Sequence, residues 1–255
     1  MSAKKSRDNA TFLPKYILQE STPFSVQEAY KSLRTNLTYS LPGEHKCMIF
    51  GVTSSNRAEG KSTSALNLAL SYAAIGKRVL LIDCDLRCPS IAAKLRSRDI
   101  KGTPGLSDIL VGKVRLQACV RPLADTTLDV LPSGTIPPDA TSLLESEGMT
   151  SLFESVKQHY EIVIVDLPPV LSVVDASILA RHLDGLLLVV RHNSTRFDAV
   201  NESIRQLRLV DAKILGFLYN DTPLEEKKYG RYGKYGKYGS YGTRHYYAAP
   251  YAQQE

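Results

Sequence analysis

Short apolar runs recur along the chain, separated by stretches in which apolar residues return every three or four positions. Nearly continuous apolar runs are typical of strands that are buried on both faces of a parallel sheet. The spacing of three or four is typical of helices that cover such a sheet. The alternation therefore predicts an α/β fold with a doubly wound, mostly parallel sheet. The predicted buried strands are residues 48–52, 79–82, 162–165, 184–191 and 212–218, with a further short strand within 128–134.

The first predicted strand ends in a polar loop that closes on Gly60-Lys61-Ser62, and a helical pattern follows at once. This order is typical of polyphosphate sites, where backbone N–H groups surround the phosphates, the lysine reaches the outer ones and the hydroxyl ligates Mg²⁺. Ser55 stands at the first glycine position of the G-x-x-x-x-G-K-[ST] pattern, and a simple turn with a solvated lysine is the alternative. The predicted nucleotide-binding residues of the loop are Ser55, Asn56, Arg57, Ala58, Glu59, Gly60, Lys61, Ser62 and Thr63.

Two of the predicted buried strands end in acidic residues. Asp83 and Asp85 follow one strand, and Asp166 follows another. In open α/β sheets, ligands bind at the carboxyl ends of the strands. Carboxylates there, together with a phosphate loop, predict a P-loop NTPase site with Mg²⁺ held by Ser62 and carboxylate-bound waters. Asn220 follows the last predicted strand and is a candidate for contacting the nucleotide base.

Positive charge is concentrated at the two ends of this 255-residue chain, whose net charge is +6. Residues 227–255 contain six Lys or Arg against one Glu, and residues 1–15 contain four against one Asp. Such ends suit an anionic membrane surface or an acidic partner equally well, and nucleic acid is not expected because no folded face carries the charge. With no secretory signal and no apolar run near the ~20 residues that cross a bilayer, we expect a cytoplasmic protein.

The composition predicts three parts: a flexible segment at 1–24, one domain at 25–222 and a disordered tyrosine-rich tail at 223–255. The tail has almost no aliphatic residues with which to form a core, so we expect it to be exposed. A low-complexity tail or stacking on single-stranded nucleic acid are the general alternatives, but neither explains a cluster of one phosphorylatable residue type beside a nucleotide site. The candidate phosphorylation sites are Tyr229, Tyr232, Tyr235, Tyr238, Tyr241, Tyr246, Tyr247 and Tyr251.

Taken together, these stretches resemble the bacterial tyrosine kinases of capsule and exopolysaccharide synthesis, in their cytoplasmic single-domain form. The resemblance covers roughly residues 25–251, through TSSNRAEGKST, LLIDCDLR, GTIPPDATSLL, YEIVIVDLPP, GFLYND and the tyrosine cluster. It implies an ATP- and Mg²⁺-dependent protein-tyrosine kinase that phosphorylates its own tail between molecules and regulates synthesis and export of the polysaccharide.

The resemblance also implies a role for each residue at the strand ends. Lys61 and Ser62 would bind the ATP phosphates and Mg²⁺, Asp83 would accept the proton of the incoming tyrosine, and Asp85 and Asp166 would organise the metal. The chain departs from the family's usual pattern at Ala58, commonly glycine, and at Asp139-Ala140, usually Asn-Pro.

The family's E-x-x-R-x-x-R helix, which joins subunits into a ring, corresponds to Glu28, Lys31 and Arg34 on a helix predicted to begin at Ser25. Lys31 replaces the first arginine, and lysine cannot form a bidentate pair. A solvated helix face is the alternative. The implied partners are a separate membrane-spanning activator that recruits the kinase to the inner face of the membrane, other copies of the chain, and further proteins with acceptor tyrosines.

Two other functions are compatible with the predicted fold. One is an ATPase similar to MinD or ParA, but that group carries a lysine where this chain has Asn56. The other is a non-catalytic adaptor whose nucleotide only controls assembly with the membrane partner. The cysteines lack the spacing of a metal site, and we expect Cys84 and Cys88 to be buried, reduced thiols. Redox sensitivity beside the predicted active-site aspartate is the alternative.

Overall fold

The computed structural model describes residues 13–41, 43, 45–96, 100 and 102–223. Within these residues, seven strands form one sheet, in which only the pair at one edge is antiparallel. The strands are β1 (Met48–Ser54), β2 (Val79–Asp83), β3 (Arg121–Pro122), β4 (Leu128–Leu131), β5 (Ile162–Asp166), β6 (Gly185–Arg191) and β7 (Ile214–Asn220). Their order is β3-β4-β2-β5-β1-β6-β7, which confirms the predicted mostly parallel α/β sheet.

Helices cover both faces of the sheet. On one face α1, α2 and α3 pack over a core that includes Phe50, Leu66 and Leu81, and on the other α4 to α9 pack over a core that includes Ile49, Leu80 and Phe153. The alternate residues of β1 and β2 thus divide between two cores, as expected for strands buried on both sides. The helices are α1 (Phe24–Ser40), α2 (Lys61–Ala73), α3 (Ile91–Lys94), α4 (Leu106–Leu110), α5 (Leu116–Cys119), α6 (Ala140–Glu145), α7 (Glu147–Lys157), α8 (Asp175–Leu179) and α9 (Phe197–Arg208), with a 3₁₀ turn at Ala180–His182.

The last strand differs from its prediction. It runs over Ile214–Asn220, lies at the edge of the sheet, and is not buried: Phe217 and Tyr219 are 53% and 58% exposed. An edge strand packs against one neighbouring strand, so its side chains stay partly exposed. The register with β6 still places Asn220 beside Arg191 at the carboxyl end of the sheet.

The segment before α1 is packed, although the sequence assigned residues 1–24 to a flexible segment. Ile17 is completely buried, and the Leu18 N–H donates to Asn67 Oδ1 on α2 at 2.8 Å. Residues 13–23 therefore belong to the packed structure. The helix also begins one residue earlier than predicted, at Phe24, with Pro23 as its N-cap.

Residues 1–12 and 224–255 lie outside the described residues, and so do all eight candidate tail tyrosines, Tyr229 to Tyr251. The boundary of the domain at residue 222 stays a prediction. Within the described residues, every helix is too short or too polar to cross a bilayer.

Candidate active site

The loop between β1 and α2 has a left-handed backbone at two positions. Glycine suits the conformation at one of them, and alanine is strained by it at the other. Gly60 has φ +100°, and a Cβ there would collide with the side-chain amide of Asn220. Only glycine satisfies both conditions. Ala58, commonly glycine in the family, has φ +62°, which is unfavourable for a residue with a side chain. The departure at Ala58 is thus accommodated with a left-handed backbone.

A buried glutamate holds this loop in shape. Glu59 is 2% exposed, and its carboxylate accepts hydrogen bonds from Asn56 N at 3.0 Å, Asn56 Nδ2 at 3.3 Å and Thr195 Oγ1 at 2.8 Å. The carbonyl oxygen of Glu59 accepts from Asn220 Nδ2 at 3.0 Å. Asn56 and Asn220 therefore both contact the loop itself, and the base contact proposed for Asn220 stays a prediction.

Lys61 begins α2 and turns its ammonium toward the carboxylates at the strand ends. Its Nζ lies 2.9 Å from Asp85 Oδ2, 3.4 Å from Asp166 Oδ1 and 3.2 Å from Ser62 Oγ. The side chain is 11% exposed, so it is not the solvated lysine of a simple turn. Burial by itself lowers the pKa of Lys61, but Asp166 and Asp85 outweigh burial and raise it. The lysine is therefore a fixed positive charge.

Asp83 is the most enclosed carboxylate of the group. It is 1% exposed and accepts hydrogen bonds from three backbone N–H groups, those of Asp85 at 3.3 Å, Ser90 at 3.1 Å and Ile91 at 3.1 Å. Burial and the adjacent Asp166 raise the pKa of Asp83 to about 7, against the lowering effect of the Ile91 N–H. Asp85 lines the adjoining cleft, whereas Asp83 lies behind it.

One oxygen of Asp166, Oδ2, is buried and accepts no hydrogen bond within the described residues. Buried polar atoms normally have partners, so a free carboxylate oxygen beside a phosphate loop fits a cation or its bound water. Mg²⁺ is usually held by one or two carboxylates together with waters and substrate phosphates. In the described part of the chain no three His, Cys, Asp or Glu side chains form a complete metal cage. Ser62, Asp85 and Asp166 fit an ion shared with phosphate.

The cleft above these residues has a volume of about 580 Å³, which falls within the range of small-molecule and cofactor pockets. At one end lie Asn220, Asp221 and Arg191, whose guanidinium donates to Ala58 O at 3.1 Å. At the other end lie Tyr16 and Lys94. Arg191 was not predicted as a site residue, but it ends β6, so the rule that ligands bind at strand ends would have identified it. No local pattern marks Tyr16 or Lys94.

Cys88 also lines the cleft and is exposed, so the expectation that it is buried was wrong. Its backbone N–H donates to Asp85 Oδ1 at 2.9 Å, which fixes the turn after β2. Cys84, one residue before Asp85, is buried as expected.

Arg87 connects the turn after β2 to the helices α6 and α8. Its Nε donates to Asp175 Oδ2 at 2.9 Å, and its Nη2 donates to Thr141 Oγ1 at 2.7 Å. Asp139 caps α6 by accepting from Ser142 N at 3.1 Å. Aspartate and asparagine are equally good N-caps, so the departure at Asp139 preserves the helix start.

The row Glu28, Lys31 and Arg34 lies on α1 and does not line the cleft. Lys31 and Arg34 instead line a separate groove between α1 and α2. The structure therefore brings together Lys61, Ser62 and the three aspartates, with Asn220 at one end of the cleft, and leaves the helix row apart from them.

Residues 52–216 match the family described as AAA domain. Tyrosine-protein kinase YwqD of Bacillus subtilis strain 168 is 34% identical over 233 residues, which cover 90% of this chain and 95% of that protein. Tyrosine-protein kinase CpsD of Streptococcus agalactiae serotype Ia is 35% identical over 205 residues, which cover 80% of this chain and 86% of that protein.

Solved structures agree with these relatives. The kinase domain of the Escherichia coli tyrosine kinase ETK is 31% identical, with a TM-score of 0.74, and the match covers 82% of this chain and 81% of that one. The chimerical protein CapA2B2 is 31% identical, with a TM-score of 0.73, and the match covers 80% of this chain and 88% of that one. A P-loop cleft with this lysine and these carboxylates, in a chain so similar to kinases over most of its length, shows that the chain belongs to the CpsD/CapB-like bacterial tyrosine kinases and is a protein-tyrosine kinase.

Proposed function

We propose that this kinase transfers the γ-phosphoryl group of ATP to tyrosines of its own C-terminal cluster. The observation that carries the proposal is the position of the Lys61 ammonium, 2.9 Å from Asp85 and 3.4 Å from Asp166 beside the Ser62 hydroxyl. Phosphoryl transfer needs positioning and charge neutralisation more than covalent chemistry. A buried cation at a helix start, within a cleft that accepts a nucleotide, meets that need.

Each residue of the site has a distinct part in this proposal. Backbone N–H groups of the loop and the Lys61 ammonium bind the phosphates, and Ser62, Asp85 and Asp166 hold Mg²⁺. Bound Mg²⁺ supplies further neutralisation of the phosphate oxygens. Asp83 accepts the proton of the acceptor phenol through one water, because it does not itself line the cleft, and a carboxyl pKa of about 7 suits that role near neutral pH. Its three backbone hydrogen bonds keep the carboxylate in one orientation.

The tail supplies the acceptors. Its eight tyrosines are spaced by glycine and basic residues, and it begins a few residues after β7, which ends at Asn220 beside the phosphate loop. We expect transfer between molecules, because a segment attached so close to its own site reaches a neighbouring site more readily.

The kinase works with a separate membrane-spanning activator, and its subunits associate through α1. The chain matches 26% of tyrosine-protein kinase wzc of Salmonella typhi at 35% identity, so that relative has a long additional region. A partner that supplies such a region in a second chain would bring the kinase to the inner membrane surface. There its phosphorylation state would regulate capsular or exopolysaccharide synthesis and export.

The test is to incubate the protein with ATP and Mg²⁺, with and without the cytoplasmic segment of a candidate activator, and to locate phosphate by mass spectrometry. Phosphotyrosine should be confined to the tail and absent from Lys61→Met. A variant with all eight tail tyrosines replaced by phenylalanine should still phosphorylate an added tyrosine peptide. Phosphate on external proteins with an unmodified tail would refute self-phosphorylation.

A further inference from the structure

The cleft extends to both sides of the phosphate loop, which follows β1. Asn220 ends β7, two strands to one side of β1, whereas Lys94 lies on α3, which follows β2, two strands to the other side. If the base lies toward Asn220, the phosphates cross the loop at Lys61 and the outermost phosphate faces the end marked by Tyr16 and Lys94. An acceptor has to enter from that end.

Lys94 is a half-buried cation that lines this end of the cleft. Among the described residues it forms no ion pair with a carboxylate, in contrast to Lys61, which has two. Its Nζ lies 5.9 Å from the centroid of the Tyr16 ring, at the distance of a cation–π contact. Its ammonium is therefore held toward an aromatic ring and is available to an oxygen that enters the cleft.

Tyr16 is fixed by its backbone while its ring remains accessible. Asn67 Nδ2 donates to the Tyr16 carbonyl oxygen at 3.0 Å, and the next residue, Ile17, is completely buried. Tyr16 is 55% exposed and lines the cleft. A rigid backbone with an open aromatic face is suited to stack against a second ring.

We propose that Tyr16 and Lys94 form the subsite that binds the acceptor tyrosine, an inference that rests on the proposed function. The acceptor ring packs against Tyr16, and the Lys94 ammonium donates to the phenolic oxygen. That oxygen forms a bond to the γ-phosphorus as the bond from phosphorus to the β–γ bridging oxygen breaks and ADP leaves. Because Asp83 does not itself line the cleft, the phenolic proton passes to it through one water, and Lys94 stays protonated and stabilises the reacting oxygen.

The test uses enzyme whose eight tail tyrosines are replaced by phenylalanine, so that its own tail does not compete as a phosphate acceptor. The acceptor is a synthetic peptide of residues 230–240 with Tyr232→Phe and Tyr238→Phe, so that Tyr235 is its one tyrosine. Lys94→Met and Tyr16→Ala should each raise the peptide KM roughly five- to tenfold, the effect of a lost aromatic or cation contact. Lys94→Arg and Tyr16→Phe should recover much of the loss, because the charge and the ring are retained.

The dissociation constant of a fluorescent ATP analogue separates this role from nucleotide binding. It should change by less than about twofold in both variants, within the scatter of surface changes. Lys213→Met and Tyr39→Ala, at exposed positions outside the cleft, are the matched controls. An unchanged peptide KM, or a loss of ATP affinity equal to the rise in KM, would overturn the subsite. Absence of transfer by the enzyme with intact Tyr16 and Lys94 would instead count against the proposed function.

Discussion

Arg34 Nη1 donates a hydrogen bond to the carbonyl oxygen of Ser71 at 2.6 Å, which joins α1 to the helix that follows the phosphate loop. The same nitrogen lies 3.2 Å from Ser71 Oγ. Glu28 and Lys31 form an exposed pair at 2.7 Å one turn earlier. The three residues of the predicted subunit contact are therefore not equivalent, because Arg34 already stabilises packing within the chain.

Alanine substitutions should separate these two roles. Arg34→Ala should lower the free energy of unfolding by about 1–2 kcal/mol, because the Ser71 carbonyl loses a charged donor. Glu28→Ala and Lys31→Ala should each cost less than about 1 kcal/mol, as exposed pairs do. In light scattering, the triple variant should have the mass of a monomer. A separate binding assay should show that it still binds nucleotide. If the triple variant keeps the mass of an oligomeric unmodified protein, the row makes no subunit contact.

Lys61→Met should abolish phosphoryl transfer. It should also lower the free energy of unfolding, and more so at high pH than at low pH. Burial raises the pKa of Asp166, and Lys61 opposes that rise. Without the lysine, the neighbouring carboxylates repel each other when ionised and take up protons as the pH falls. Measured by urea denaturation without nucleotide or metal, the loss should be about 2–4 kcal/mol at pH 8 and smaller at pH 5.5. Lys77→Met, an exposed control, should show little change, and a deficit independent of pH would contradict the argument.

The strand ends were predictable because buried parallel strands leave few alternatives. The runs before Asp83 and Asp166 are continuously apolar, so their acidic residues had to meet at the carboxyl edge of the sheet. The pairing of Asp83 with Asp166 in register follows from that arrangement.

Other features depend on contacts that no local pattern encodes. Ile17 is buried because Asn67, on α2, fixes the backbone around it across some fifty residues of sequence. The composition of β7 is that of a central strand, and only its place at the end of the strand order makes it an edge. Tyr16 and Lys94 come from separate segments and meet only in the folded chain.

Substitution of Arg87 should lower the free energy of unfolding more than substitution of its partner, Asp175. Asp175 is completely buried, whereas the Arg87 side chain is 38% exposed. In Asp175→Asn the guanidinium remains partly hydrated, so the free energy of unfolding should fall by about 1–2 kcal/mol. In Arg87→Met a buried carboxylate loses its charged partner, and the fall should be about 3–5 kcal/mol. Equal losses in urea denaturation would show that the pair is not held as described.

Phosphorylation of the tail should weaken assembly, because it reverses the charge of residues 227–255. Each phosphotyrosine adds about −1.5 to −2 charges, so three of them cancel the positive charge of that segment, which has six Lys or Arg against one Glu. A basic tail is attracted to an acidic partner or membrane, and an anionic tail is repelled by the same surface and by similar tails. The oligomers should therefore dissociate as phosphate accumulates on the tail.

Transfer between molecules can be tested by mixing two complementary proteins. One carries Lys61→Met with an intact tail, and the other is active but has phenylalanine at all eight tail tyrosines. Phosphate should appear on the inactive protein, at a rate that rises with total concentration because two molecules must meet, and light scattering should show loss of mass as it does. The inactive protein alone is the control. The unsubstituted protein, active and with an intact tail, is assayed separately. If it is phosphorylated at a rate independent of concentration while the inactive protein in the mixture stays unmodified, each chain modifies itself.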